Sequence, residues 1–185
     1  VIDQIPISQH SPRDLEIDLA LVGALGDDHL NNIAQSQGWS FVLGQNSSPA
    51  RLEKGGRQIQ VRRQGFTSVL LGSDLLLCMA GTAAEQAIGM AKPVLQLPGQ
   101  GPQFTAGFAE AQRRLLGPTV FCAAAPYAGE ELLRKTAKLA VELLERSVND
   151  PDLRRECRMQ AMQRLGPQGG GSKMAGLISG LLQKS

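Results

Sequence analysis

DLLLCMAGTAAEQAIGMAKPVLQLPG, residues 74–99, decides how this chain folds. After Asp74 the run to residue 80 is continuously apolar, the pattern of a central strand covered on both faces. Gly81-Thr82 breaks the run, and a helical stretch follows to about residue 91. PVLQL at 93–97 reads as the next strand, because proline is tolerated at a strand's first residue. Strand, turn, helix and strand in that order make a βα unit and predict a parallel sheet.

The same alternation extends in both directions. Upstream, DLALVG at 18–23 and SFVLG at 40–44 read as strands. Asp27 and Asp28 are expected to cap a helix running to Gln37, with Gly38 ending it. Residues 45–56 carry Asn, Ser, Pro and paired Gly, and are expected to form a loop. QIQVRR at 58–63 alternates and suits a strand with one exposed face, followed by a short helix over 67–72.

Downstream, the turn-rich Pro98-Gly99-Gln100-Gly101-Pro102 leads to a helix over 104–116 and a last strand, TVFCA, at 119–123. Residues 130–147 then place Leu132, Leu133, Ala137, Ala140, Leu143 and Leu144 near a 3.6 period. Helices over 152–165 and 172–183 close the chain. The expected fold class is α/β: a Rossmann-like parallel sheet flanked by helices, with a helical C-terminus. Its 185 residues suit one domain, with residues 1–14 extended or mobile.

Composition excludes several functions. With 19 basic and 17 acidic residues the formal charge is only +2, too balanced for a nucleic-acid footprint. One Trp and one Tyr are few for a protein that stacks bases. The pairs Arg62-Arg63, Arg113-Arg114 and Arg154-Arg155 read first as solvated faces, and second as contacts to phosphate or an anionic membrane surface. Cys78, Cys122 and Cys157 form no CxxC, and only two histidines are present, so neither a zinc site nor a disulfide framework is expected. A reducing, cytoplasmic compartment fits, with peripheral membrane association left open. No apolar run reaches the ~20 residues that span a bilayer. The sequence opens on Val1 and not Met, so an upstream half of the polypeptide is expected.

The chemistry gathers after the apolar strand. Ligands of open parallel sheets bind beyond the carboxyl ends of the strands. A Gly81-Thr82 turn into a helix leaves backbone N–H groups free, and the helix dipole adds to their attraction for phosphate. Glu85 and Gln86 sit one turn on, where a side chain can accept hydrogen bonds from a ribose diol. The plainer readings are that Thr82 caps a helix and that Glu85 complements the dipole with no ligand. The loop holding Gly99 and Gly101 is polar, glycine-rich and at the active edge, where function concentrates. Gly169-Gly170-Gly171-Ser172-Lys173 lacks the spacing of an NTPase phosphate loop and reads as a connector with Ser172 as helix cap. Gly23-x-x-Gly26 is too short for a dinucleotide fingerprint.

The stretch Ala80-Gly81-Thr82-Ala83-Ala84-Glu85-Gln86-Ala87, then Gly89-Met90-Ala91-Lys92-Pro93-Val94-Leu95-Gln96-Leu97-Pro98, resembles the donor site of lipid-A-disaccharide synthases. It also looks like that of the peptidoglycan transferase that moves N-acetylglucosamine from UDP. Gly101-Pro102-Gln103-Phe104, Gly107-Phe108-Ala109-Glu110-Ala111-Gln112 and Arg114-Leu115-Leu116-Gly117 follow in an order similar to that of the lipid-A-disaccharide synthase-related proteins. The resemblance covers residues 74 to the C-terminus well and the earlier segment loosely.

What the resemblance implies is the C-terminal half of a GT-B glycosyltransferase. That half would bind a UDP-sugar donor without a metal or other cofactor. Gly81, Thr82 and Ala83 would approach the diphosphate. Gly99, Gly101, Gln103 and Phe104 would belong to the loop facing the donor sugar. Glu85 or Gln86 would hold the ribose. The departures are Gln86, where the transferases carry their ribose-binding Glu, and Ala106, where the peptidoglycan enzyme carries Asn. The acceptor would be lipid-linked or a saccharide, and the general base would lie in the expected upstream domain. A nucleotide-sugar-binding domain without transfer, or a GT-B-shaped epimerase, are the alternatives. His10 and His29 fall outside the matched stretch.

Overall fold

The computed structural model describes residues 1–5, 15–21, 23–45, 48–63, 65–79, 81–99, 106–123, 129–167 and 169–182. Their contacts divide the chain into two compact units, Ile2–Ser73 and Asp74–Ser185.

The first unit carries a four-stranded sheet in the order β1-β4-β3-β2, with β1 at Asp18–Leu21, β2 at Ser40–Val42, β3 at Arg51–Lys54 and β4 at Arg57–Arg63. Only β1 and β4 run parallel; β4, β3 and β2 pair antiparallel, so this sheet is mixed and not the parallel sheet expected from the sequence. The difference comes from β3, which occupies the end of the expected loop 45–56. Gly55 and Gly56, both with positive φ (55° and 77°), form a two-residue turn of the kind that matches hairpin twist. Leu52 is buried and pairs with Ile59, which draws the short polar strand into the sheet.

Leu30 and Ala34 of helix α1 (Asp27–Ser36) close a core with Trp39, Leu52, Ile59 and Val61. The N-cap of α1 is Gly26 and not Asp27 or Asp28, which instead occupy the first turn, where carboxylates favour the helix dipole. Helix α2 spans Phe66–Gly72. Residues 2–5, read from the sequence as part of a mobile end, are held in place. Ile5 is buried, Arg57 Nη2 donates to its carbonyl (2.8 Å), and Asp3 pairs with Lys54 (2.7 Å). Residues 6–14 lie outside the described residues.

The second unit is built on three parallel strands in the order β5-β6-β7: Leu76–Cys78, Val94–Gln96 and Val120–Cys122. Helix α3 (Thr82–Gly89) joins the first two, and the segment joining the last two contains α4 (Ala106–Leu116). Burial corrects the sequence reading. The strand covered on both faces is β6, with Val94 and Leu95 at 0% exposure, whereas β5 is half-buried. Among the described strands β5 pairs only with β6, so its run of leucines ends at a sheet margin.

Helix α5 (Glu130–Asn149) lays Ala140 and Leu143 on Leu95, so its 3.6-residue stripe faces the sheet as the sequence indicates. Helix α6 (Pro151–Arg164) starts one residue earlier than expected. The Asp150 carboxylate accepts hydrogen bonds from the Asp152 and Leu153 amides (2.9 and 3.2 Å), and Pro151 takes the first helical position. The Leu153 amide is the foremost reason that the Asp150 carboxyl is held below its ordinary range. Helix α7 (Gly170–Leu182) begins two residues before Ser172, which therefore lies in its first turn and is not its cap. The protein is thus α/β, with a mixed four-stranded sheet, a three-stranded parallel sheet with helices, and a helical C-terminal region.

Candidate functional site

Because β5, β6 and β7 are parallel and in register, Cys78, Gln96 and Cys122 end them in one row. The Leu97 amide donates to the Cys78 carbonyl (2.9 Å), tying the segment that leaves β6 to the end of β5. The turn at Gly81 and the start of the loop at Pro98-Gly99 therefore rise from the same rim of the sheet.

Gly81 is the N-cap of α3, with φ 77° and ψ −147° and no side-chain cap. Thr82 is the first helical residue, so it is not the cap of the plainer reading. The Gly81 carbonyl accepts from the Ala84 and Glu85 amides (3.0 and 3.2 Å). Helix geometry leaves the Thr82 and Ala83 N–H groups with no intrahelical acceptor. A Cβ built on Gly81 would meet nothing within 4 Å, so the turn faces open space. Ala84, Ala87 and Ile88 are buried to 1% exposure or less and fix α3 against the rest of the unit. Thr82, Glu85 and Gln86 are all exposed on the other side of the helix. Gly99 is exposed. Gly101, Gln103 and Phe104 lie outside the described residues, and so does the side chain of Ala106.

Lys92 is the only basic residue from Gly81 to Gly99, and it precedes β6, at the far end of the strand from the rim. The local sequence thus offers this turn backbone amides and the positive end of the helix dipole, with Glu85 as the acidic residue of the first helical turn.

Gln96 is a residue whose place at this edge was not anticipated from the sequence. It is 4% exposed, its Nε2 donates to Gln112 Oε1 of α4 (3.0 Å), and its own Oε1 is buried without a partner. The pair links the end of β6 to α4, bracketing the loop that holds Gly99. A polar residue inside Val94-Leu95-Gln96-Leu97 is the signal that finds it.

The thiols are unsuited to nucleophilic work. Burial pushes Cys78 up to about 11 and raises Cys122 as well. Burial, then the Glu156 charge, pushes Cys157 up to about 11. All three stay protonated at neutral pH. A raised thiol pKa stabilises the fold below the free-thiol value, about 8.5, and that contribution is lost as pH rises through about 11. The urea midpoint is accordingly expected to fall between pH 8 and 10.5, and a Cys78→Ala/Cys157→Ala variant to show a flatter decline. An equal slope in both proteins contradicts this assignment.

Among the described residues no group of three His, Cys, Asp or Glu side chains could hold a metal. Each basic pair has a member in an ion pair at the surface. Arg62 pairs with Asp18 (2.8 Å), Arg63 with Asp27, Arg114 with Glu110 (3.1 Å) and Arg155 with Asp152 (2.8 Å). His29 is exposed on α1, and His10 lies outside the described residues. A concavity of about 410 Å³ sits over the β3–β4 hairpin of the first unit, lined by Lys54, Gly55, Gly56 and Arg57 among others. It is wide open and already holds the Lys54–Asp3 ion pair at its margin. Position at the carboxyl rim weighs more than depth in choosing a candidate site on a parallel sheet.

What the fold defines is an α/β protein in which the open start of α3 lies at the carboxyl rim of a three-stranded parallel sheet. No known family model matches the chain, and no curated protein matches it either.

Proposed function

We propose that the unit Asp74–Ser185 binds a nucleotide sugar, with the diphosphate of a UDP-sugar held at the start of α3. The parallel arrangement of β5–β7 with helices α3 and α4 between them supports reading this unit as part of a Rossmann-like donor half of a GT-B glycosyltransferase. The observation that carries the reading is the Gly81 turn: left-handed, open to solvent, followed by two amides without intrahelical acceptors, and on the same rim as Gly99.

In this reading the Thr82 and Ala83 amides bind the donor phosphates. Glu85 or Gln86 accepts from the ribose hydroxyls, and the loop with Gly99 approaches the sugar. Transfer to a lipid-linked or saccharide acceptor then rests on positioning and on stabilising the departing diphosphate. That stabilisation is supplied by oriented amides that need no reorganisation as charge develops. No residue of this chain is assigned as base. The neutral Gln86 favours a second reading, a nucleotide-sugar-binding domain that does not transfer, because a neutral amide holds a diol more weakly than a carboxylate does.

Calorimetry with UDP, UDP-N-acetylglucosamine and NAD tests the class of ligand. UDP is expected to bind and NAD not to; the reverse pattern removes both readings. Glu85→Ala and Gln86→Ala should be compared in the same titration. One of them is expected to weaken UDP binding by roughly 1–3 kcal/mol, the scale of a lost polar contact. If neither does, the ribose assignment is wrong.

A further inference from the structure

Helix α7 buries none of its residues. Met174, Leu177, Ile178, Leu181 and Leu182 are 59%, 68%, 52%, 71% and 71% exposed. At about 100° per residue, these five side chains fall within one arc of roughly 140°. Ser172, Lys173, Gly176, Ser179 and Gly180 take the opposite side. A bulky apolar face opposed by a face of small residues and one lysine is built to lie at an interface between water and something apolar.

Charge selects the occupant. From Cys157 to Ser185 the sequence contains no Asp or Glu, while Arg158, Arg164, Lys173 and Lys184 are basic. A second copy of the chain would bring an equally basic segment against this one, whereas anionic headgroups complement it. Length sets the mode. Thirteen residues make a helix of about 20 Å, short of the ~30 Å hydrocarbon core. No described helix is long and apolar enough to cross a membrane.

We propose that α7 docks flat on an anionic lipid surface, with its leucine face among the acyl chains and Lys173 at the headgroups, in a stretch of chain that carries no acidic residue. Four glycines, Gly170, Gly171, Gly176 and Gly180, make it a weak helix in water. Lipid that covers the apolar face then fixes the helix as well as the protein. This proposal does not rest on the donor-site reading, and the UDP titration and the lipid test succeed or fail separately.

The test is sedimentation of the full chain with vesicles of phosphatidylcholine containing phosphatidylglycerol, against phosphatidylcholine alone, with light scattering of the lipid-free protein. Binding to the anionic vesicles is expected to be at least tenfold tighter than to the neutral ones and to weaken in high salt. Leu177→Glu/Leu181→Glu is expected to reduce it at least tenfold, with the circular dichroism melt unchanged because α7 buries nothing. Lys173→Glu, which leaves every apolar residue in place, is expected to reduce it severalfold. Three results overturn the proposal: no sedimentation with anionic vesicles, equal partition of the leucine variant and the parent, or a lipid-free dimer that the leucine variant converts to monomer.

Discussion

Gly81→Val is expected to weaken UDP binding about a hundredfold while leaving the chain folded. With φ 77° and ψ −147°, Gly81 occupies a backbone region that L-residues enter only under strain. The strain is about 1–3 kcal/mol, and the turn can shed it only by rotating. Rotation re-aims the Thr82 and Ala83 amides, the groups assigned to the diphosphate. Hydrogen bonds to charged groups contribute about 1.5–3 kcal/mol each. Losing two is therefore at least about 3 kcal/mol, roughly a hundredfold in Kd. A Cβ at this position meets no heavy atom within 4 Å, so the fold itself has no clash to relieve. Calorimetry and a circular dichroism melt together separate the two effects. Unchanged affinity in the folded variant contradicts the phosphate assignment.

Leu95→Ala is expected to destabilise the second unit by about 3–4 kcal/mol, the middle of the range for leucine truncation in a core. Leu95 is fully buried at the centre of β6 and packs on Ala140 and Leu143. Its neighbours on α5 are small or already packed, so the space left by the lost carbons cannot be filled cheaply. Leu177→Ala, on a residue 68% exposed, provides the contrast and is expected to leave stability within about 0.5 kcal/mol. Urea unfolding followed by circular dichroism reads both. If the two variants unfold alike, β6 is not the centre of the core.

Much of the fold was legible because period and punctuation agree. Residues 58–63 alternate, and Ile59 and Val61 are indeed the buried members of β4. The leucines and alanines of α5 repeat at helical spacing and meet the sheet at Ala140 and Leu143. β3 was hidden because Arg51-Leu52-Glu53-Lys54 holds one apolar residue, and its pairing is set by the Gly55-Gly56 turn more than by its own composition. The ranking of β5 and β6 was misread because burial depends on neighbours. The leucines of β5 look more apolar than Val94-Leu95-Gln96, yet the strand with a partner on each side is β6.

The site was legible to the extent that it rests on backbone. A glycine between an apolar strand and a helix announces a turn with free amides, and Gly81 adopts it. Side-chain roles were less accessible. Glu85 and Gln86 are both exposed, so burial does not choose between them. Gln96 looked like an ordinary strand residue, although its amide joins β6 to α4 at the same edge. The exposed face of α7 was equally unreadable, since its periodicity announces a helix but not what covers it.

Titration of the isotopically labelled chain with UDP, followed amide by amide in nuclear magnetic resonance spectra, tests the central claim most directly. Binding at the start of α3 predicts saturable shifts that are largest at Gly81, Thr82 and Ala83, with Gly99 moving at the same ligand concentration. Shifts confined to the β3–β4 hairpin, or none anywhere at millimolar UDP, would contradict it.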